Sequence, residues 1–113
     1  AFAIRDNLVA LQSAGTEIKS LIAVGGGSRS AYWLKSIATA LNVPISLPEE
    51  GDFGAAFGAA RLGLIAASSA DPFAICTPPR TAHTIEPEHT LTASYDEAYQ
   101  RYHALYPALR PLA

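Results

Sequence analysis

The stretch that decides the fold is Ser20-Leu21-Ile22-Ala23-Val24-Gly25-Gly26-Gly27, a short apolar run that ends in three consecutive glycines. A continuous apolar run bounded by glycines is typical of a strand buried on both faces of a parallel sheet, so we predict a strand over residues 20–24. Glycines after a strand leave backbone N–H groups open to a ligand, and a following helix adds partial positive charge. The same spacing is also typical of a plain tight turn, so it leaves both interpretations open.

Helices are predicted on both sides of this strand. Residues 2–14 form an amphipathic helix that Gly15 ends; its apolar positions are Ile4, Leu8 and Leu11. Ser28 is predicted to cap a second helix that ends at Asn42; its apolar face comprises Trp33, Leu34, Ile37, Ala38 and Leu41. Residues 44–48 then form a second strand, and strands joined by a helical crossover are nearly always parallel, which predicts a βαβ unit.

Two more helices are predicted beyond this unit. The first covers residues 52–68, with acidic residues at its start, where the helix dipole favours them. Gly54 and Gly58 share one of its faces and are expected to let the helix approach the sheet. Prolines in residues 71–92 predict an extended loop without regular helix. The last helix is predicted to begin at a capping box formed by Ser94 and Glu97.

The last helix carries a row of tyrosines and is expected to stop at Pro107. The tyrosines recur at helical spacing, which is typical of a packing stripe rather than of a sugar-binding platform. They are Tyr95, Tyr99, Tyr102 and Tyr106.

Composition excludes several function classes. A net charge of −2 without a Lys/Arg run argues against nucleic acid as a partner, and no apolar stretch is long enough to predict a membrane span. The lone cysteine, Cys76, cannot form an internal disulfide, which favours a cytoplasmic protein. The histidines, at positions 83, 89 and 103, lack metal-ligand spacing. Glu50 and Asp52 are explained by the helix dipole rather than as an acid/base pair.

The high content of apolar residues predicts that this chain is a piece of a larger protein. Hydrophobic residues make up 50% of the 113, and the mean hydropathy is +0.16, which is high for so small a body. We therefore expect one face of the sheet, or the strip beside it, to be open to solvent in this chain or covered by another chain.

A dinucleotide site is one nucleotide interpretation of the glycines. It requires G-x-G-x-x-G and an acidic residue about 20 positions further on. Gly25 and Gly27 supply the first two glycines, and Glu49 or Glu50 would be the acid. Ser30 stands in place of the third glycine, so the match is partial.

A second interpretation comes from three motifs in a fixed order. They are Leu-Ile-Ala-Val-Gly-Gly-Gly-Ser-Arg-Ser-Ala-Tyr-Trp at 21–33, Gly-Asp-Phe-Gly-Ala-Ala-Phe-Gly-Ala-Ala-Arg-Leu at 51–62 and Tyr-Gln-Arg-Tyr-His-Ala-Leu-Tyr-Pro-Ala-Leu at 99–109. Together they resemble the C-terminal end of the FGGY carbohydrate kinases, over nearly the whole chain. The resemblance implies an actin-like, RNase H-like ATPase fold of two lobes. Residues 1–113 would form the end of the C-terminal domain, without the sugar-binding N-terminal lobe.

The resemblance also implies site residues. The glycine loop would lie against the adenosine and inner phosphate of ATP, which makes Gly25, Gly26 and Gly27 nucleotide-binding positions, with Ser30 near the base. Arg29 is a secondary candidate, because it could reach a phosphate or the base. The family's catalytic and Mg²⁺-associated acids belong to earlier sequence, so no catalytic or metal residue is assigned, and the chain alone is expected to be inactive.

Within the family, the resemblance is greatest to members that phosphorylate the ketopentose D-xylulose. The implied cofactor is ATP with Mg²⁺, and the implied partners are the sugar, the remainder of the kinase and a second copy in a homodimer. Kinases of ribulose, glycerol or gluconate share the glycine loop and stay open as alternatives. So does a free-standing nucleotide-binding module without kinase activity.

Overall fold

The computed structural model describes residues 1–49 and 54–112, and it confirms the α/β class. The helices are α1 (Phe2–Ser13), α2 (Ala31–Leu41), α3 (Gly54–Ser68), α4 (Pro72–Ile75) and α5 (Thr92–Leu109). The strands are β1 (Leu21–Ile22), β2 (Ile45–Pro48) and β3 (Thr81–Ile85), and they form one sheet in the order β1-β2-β3. The predicted start of the third helix, at Asp52, lies outside the described residues.

The predicted βαβ unit is confirmed. β1 and β2 are parallel, with Leu21 opposite Ile45 and Ile22 opposite Ser46, and α2 connects them. The prediction that β1 is buried on both faces is wrong, because Ile22 is 55% exposed and Val24 is 52% exposed. No described side chain of α3 is buried either. The expectation of open apolar surface beside the sheet is thereby confirmed.

The prediction of an irregular segment over residues 71–92 is wrong, because this segment contains α4 and β3. Pro72 occupies the first turn of α4, where the missing N–H costs no helical hydrogen bond. β3 pairs antiparallel with β2, with Ile85 opposite Ile45. The register shifts between Leu47 and Pro48, as expected where proline interrupts the ladder.

Two predicted helix ends are confirmed. Gly15 follows α1 with φ 87°, and the N–H groups of Gly15 and Thr16 donate to the carbonyls of Gln12 and Leu11 at 2.9 and 3.0 Å. This pair of bonds satisfies carbonyls that the helix end leaves open. Asn42 ends α2 in the left-handed conformation, with φ 52°, which asparagine tolerates better than most residues.

The predicted start of α2 is wrong by two residues. Ser30, not Ser28, is the N-cap, and its side-chain oxygen accepts a hydrogen bond from the N–H of Trp33 at 3.3 Å. A short 3-10 turn, Gly26–Arg29, occupies the chain in between. Because α2 begins later, Trp33 lies in its first turn and is 43% exposed, whereas the other predicted apolar positions of α2 are buried.

The predicted ends of α5 are also wrong. The helix begins at Thr92, ahead of Ser94, so the capping box is not used, and Glu97 instead pairs with Arg101 at 2.8 Å. The helix continues through Pro107 to Leu109. Pro107 lacks the N–H that would donate to the carbonyl of His103, so the helix loses one hydrogen bond there and still continues for two residues.

The core lies between α1, α2 and the sheet. Its buried members are Leu8, Leu34, Ile37, Ala38, Leu41, Val43, Ile45 and Ile85. Thr39 is the buried polar residue of α2: its hydroxyl donates to the carbonyl of Lys35 at 2.8 Å and accepts from the N–H of Glu88 at 3.0 Å. This bond fixes the segment between β3 and α5 onto α2.

Tyr99 joins α5 to α1. Its hydroxyl donates to a carboxylate oxygen of Asp6 at 2.7 Å, and this bond is the main reason that the pKa of Tyr99 is raised. The guanidinium of Arg5 lies over the Tyr99 ring, 4.3 Å from its centroid, and pairs with Asp96 at 2.6 Å. Tyr99 is buried while Tyr106 is 73% exposed, so the predicted packing stripe is confirmed only in part.

We expect Tyr99→Phe to lower the free energy of unfolding by about 1–2 kcal/mol, because it removes a hydrogen bond to a charged acceptor and keeps the ring. Urea denaturation would measure the loss. Tyr106→Phe is the matched control on the exposed face of the same helix. Equal effects of the two substitutions would contradict a stabilising role for the bond between Tyr99 and Asp6.

Candidate functional site

The glycine loop begins with a backbone conformation that favours glycine. Gly25 has φ 81° and ψ −177°, a combination that is essentially restricted to glycine because a Cβ would clash with the backbone. The chain then turns through the 3-10 segment Gly26–Arg29 and enters α2. This sharp reversal brings the loop from the carboxyl end of β1 to the N-terminus of α2.

Hydrogen bonds within the loop fix its shape. The carbonyl of Gly25 accepts from both the N–H and the hydroxyl of Ser28, at 3.0 and 2.7 Å. The N–H of Ser30 donates to the carbonyl of Gly27 at 3.3 Å. Ser28, which sequence reasoning placed at the helix cap, therefore stabilises the turn instead.

The loop is open on its outer side. A Cβ placed at Gly25, Gly26 or Gly27 would meet no heavy atom within 4 Å among the described residues, and Gly26 and Gly27 are exposed. Internal packing therefore does not explain glycine at positions 26 and 27. Without side chains, the backbone there is accessible, and the N–H groups at the start of the 3-10 turn are open to water or to a ligand.

The five predicted site residues lie together at the junction of β1 and α2. Gly25, Gly26 and Gly27 form the turn, exposed Arg29 closes it, and exposed Ser30 begins the helix. The Ser30 hydroxyl caps the helix, but it can still donate a hydrogen bond of its own. The structure thus brings these residues to one place; their contact with a nucleotide stays a prediction.

A cleft of about 450 Å³ adjoins the loop at Val24. It is bounded by the start of α3, by Glu49 at the end of β2 and by residues 77–80. The Arg61 guanidinium lies over the Phe57 ring, 4.2 Å from its centroid, and donates to the carbonyl of Thr77 at 2.8 Å. The sequence analysis missed this side of the cleft because it treated residues 71–92 as irregular. The one signal in the sequence was Arg61, a charged residue within an otherwise apolar helix.

The described residues do not form a metal site. Within residues 1–49 and 54–112, no three His, Cys, Asp or Glu side chains are close enough together to hold an ion. Glu49 is exposed, and Glu50 and Asp52 lie outside the described ranges. No described helix is both long enough and apolar enough to cross a membrane.

The dinucleotide alternative is supported by one position only. Glu49 directly follows β2, where an acid could approach a ribose held over the glycines. Ser30, in place of the third glycine, caps α2 with its side chain. Comparison with known proteins does not favour this alternative.

Two xylulose kinases are similar to this chain over nearly its whole length. The chain is 31% identical over 106 residues to the xylulose kinase of Escherichia coli K12, a match that covers 94% of this chain and 20% of that protein. A xylulose kinase of Staphylococcus epidermidis is 26% identical over 113 residues, 98% of this chain and 23% of that protein. The chain thus spans only about a fifth of the length of these relatives.

The crystal structure of a xyloylose kinase from Brucella ovis superposes with a TM-score of 0.88 and is 83% identical, over 99% of this chain and 23% of that one. The chain has the architecture of part of an actin-like ATPase lobe, as FGGY sugar kinases do. Residues 1–67 match the description "FGGY family of carbohydrate kinases, C-terminal domain". The chain therefore belongs to the FGGY family of carbohydrate kinases.

Proposed function

We propose that this chain is part of an ATP-dependent kinase that converts D-xylulose to D-xylulose 5-phosphate. The observation that carries the proposal is the 83% identity to the xyloylose kinase from Brucella ovis, over 99% of the chain. The 31% identity to the Escherichia coli xylulose kinase supports the same substrate. The chain would contribute the end of the C-terminal domain, and the sugar-binding lobe would lie in other sequence.

In this proposal, the chain binds and orients the nucleotide and performs no proton transfer. Gly25 turns the backbone, Gly26 and Gly27 offer it to the adenosine and inner phosphate of ATP, and the N-terminus of α2 adds partial positive charge. Arg29 and Ser30 would approach the phosphate or the base from the same junction. Holding ATP in one orientation lowers the entropic part of the barrier to phosphoryl transfer.

The remaining parts of the reaction belong to other sequence. ATP would act with Mg²⁺, which neutralises phosphate charge when bound, and residues outside this chain would hold the ion and accept the proton of the sugar hydroxyl. We also propose a cytoplasmic enzyme, because Cys76 is a single exposed thiol suited to a reducing compartment. A homodimer is part of the proposal, supported by the exposed apolar side chains of α3 and α5.

Steady-state kinetics test the proposal, and they use the full-length protein, by which we mean the proposed kinase that contains residues 1–113. With ATP present, we expect kcat/KM for D-xylulose to exceed that for D-ribulose, glycerol and D-gluconate by about a hundredfold or more. Formation of ADP without sugar is the background control. A higher kcat/KM for another sugar would assign the protein to that branch of the family, and NAD(H) binding without any phosphorylation would support the dinucleotide alternative.

A further inference from the structure

At Gly54, the start of α3 lies against Val24, two residues beyond the end of β1. A Cβ placed on Gly54 would lie 2.9 Å from both Cβ and Cγ2 of Val24, and 3.4 Å from Cγ1. Rotation about χ1 of Val24 could move the two methyl groups, but Cβ is fixed by the backbone of Val24. No rotamer therefore relieves the contact, and any side chain at position 54 must displace backbone.

Val24 connects the sheet to the glycine loop. Just beyond β1, the N–H of Ala23 donates to the carbonyl of Ser46 in β2 at 3.0 Å, and Val24 follows this last described bond to the sheet. Gly25, with φ 81°, follows directly. A displacement of Val24 is consequently passed to Gly25 rather than absorbed by the sheet.

The other side of the contact is restrained. Arg61, two turns along α3 from Gly54, donates to the carbonyl of Thr77 at 2.8 Å, and its guanidinium is stacked on Phe57. The N–H of Glu49 donates to the carbonyl of Arg80 at 3.1 Å, which joins residues 77–80 to the end of β2. These bonds hold α3 against the sheet, so the strain of an added Cβ falls on Val24.

We infer that Gly54 is a positioning residue for the nucleotide: its missing side chain lets α3 hold Val24, and through Val24 the glycine loop, in the shape that binds ATP. The inference rests on the proposed function of the glycine loop. The sequence assigns Gly54 and Gly58 the same packing role, but a Cβ at Gly58 meets nothing within 4 Å of the described atoms. The packing prediction is therefore confirmed for Gly54 and wrong for Gly58.

The test is Gly54→Ala in the full-length protein, with Gly63→Ala as the matched control. Gly63 lies in the same helix, and a Cβ there meets no described atom within 4 Å. We expect Gly54→Ala to raise the KM and Kd for ATP about tenfold, with the KM for sugar unchanged. Gly63→Ala should leave both unchanged and slightly raise the melting temperature, because alanine favours helix. Unchanged ATP affinity in a folded Gly54→Ala protein would overturn the inference.

A second variant separates steric displacement from a general loss of structure. Val24→Ala removes Cγ1 and Cγ2 and leaves one of the three close contacts, so adding it to Gly54→Ala should restore part of the lost ATP affinity. If Gly54→Ala does not fold, the double variant is compared with Val24→Ala alone, and equal ATP affinities would overturn the inference. If instead the proposed function of the glycine loop is incorrect, substitution at Gly26 would also leave ATP affinity unchanged. This result distinguishes the two cases.

Discussion

Gly26→Val in the full-length protein is expected to weaken ATP binding by about a hundredfold and to leave sugar affinity nearly unchanged. A branched side chain at this position would occupy the space where the nucleotide is proposed to contact the backbone. The structure makes the expected effect selective. The φ of Gly26 is outside the left-handed region, and a Cβ there meets no described atom within 4 Å, so the substitution is compatible with the fold.

Separate titrations with ATP, NAD(H) and D-xylulose, together with melting temperatures, distinguish the three interpretations of the loop. The dinucleotide alternative predicts a loss of NAD(H) affinity, and a plain turn predicts lower stability without a ligand effect. Gly25→Ala is the comparison for backbone strain: with φ 81° at that position, it should lower stability by about 1–3 kcal/mol. A folded Gly26→Val protein with unchanged ATP affinity would contradict the nucleotide assignment.

Local signals predicted the βαβ unit well. The apolar run before Gly25 and the spacing of the α2 core positions are properties of neighbouring residues, and the ends at Gly15 and Asn42 follow from left-handed backbone that few residue types tolerate. The same signals missed the cap of α2, because Ser28 and Ser30 are both good N-cap residues. Only the intervening 3-10 turn decides between them.

Structural features that depend on residues far apart in the sequence could not be predicted from local patterns. β3 lies in a proline-rich segment, and its pairing with β2 joins residues about 40 positions apart, such as Ile45 and Ile85. The spacing of Gly54 and Gly58 suggested two equivalent contacts, yet only Gly54 faces Val24. The loop residues themselves were located from the sequence, because strand, glycines and helix are adjacent in the chain.

Ile45→Ala is expected to produce the largest loss of stability, about 2–5 kcal/mol. Ile45 is 3% exposed and lies in the central strand, opposite Leu21 of β1 and Ile85 of β3. Truncating it removes apolar contacts and leaves a cavity between α2 and the sheet that neighbouring side chains, fixed in the core, refill only partly. Urea denaturation of the full-length protein measures the loss, and hydrogen exchange of the β2 amides shows whether it arises in this sheet.

Ile45→Val provides a graded control, because it removes one methyl group and keeps the β-branched shape that suits a strand. Its expected cost is about 0.5–1.5 kcal/mol. If the cavity is the cause, the two losses should follow the volume removed, and faster exchange should be concentrated in β2 and its partners β1 and β3. Equal losses for both variants, or faster exchange confined to α5, would show that Ile45 does not stabilise the site through the central strand.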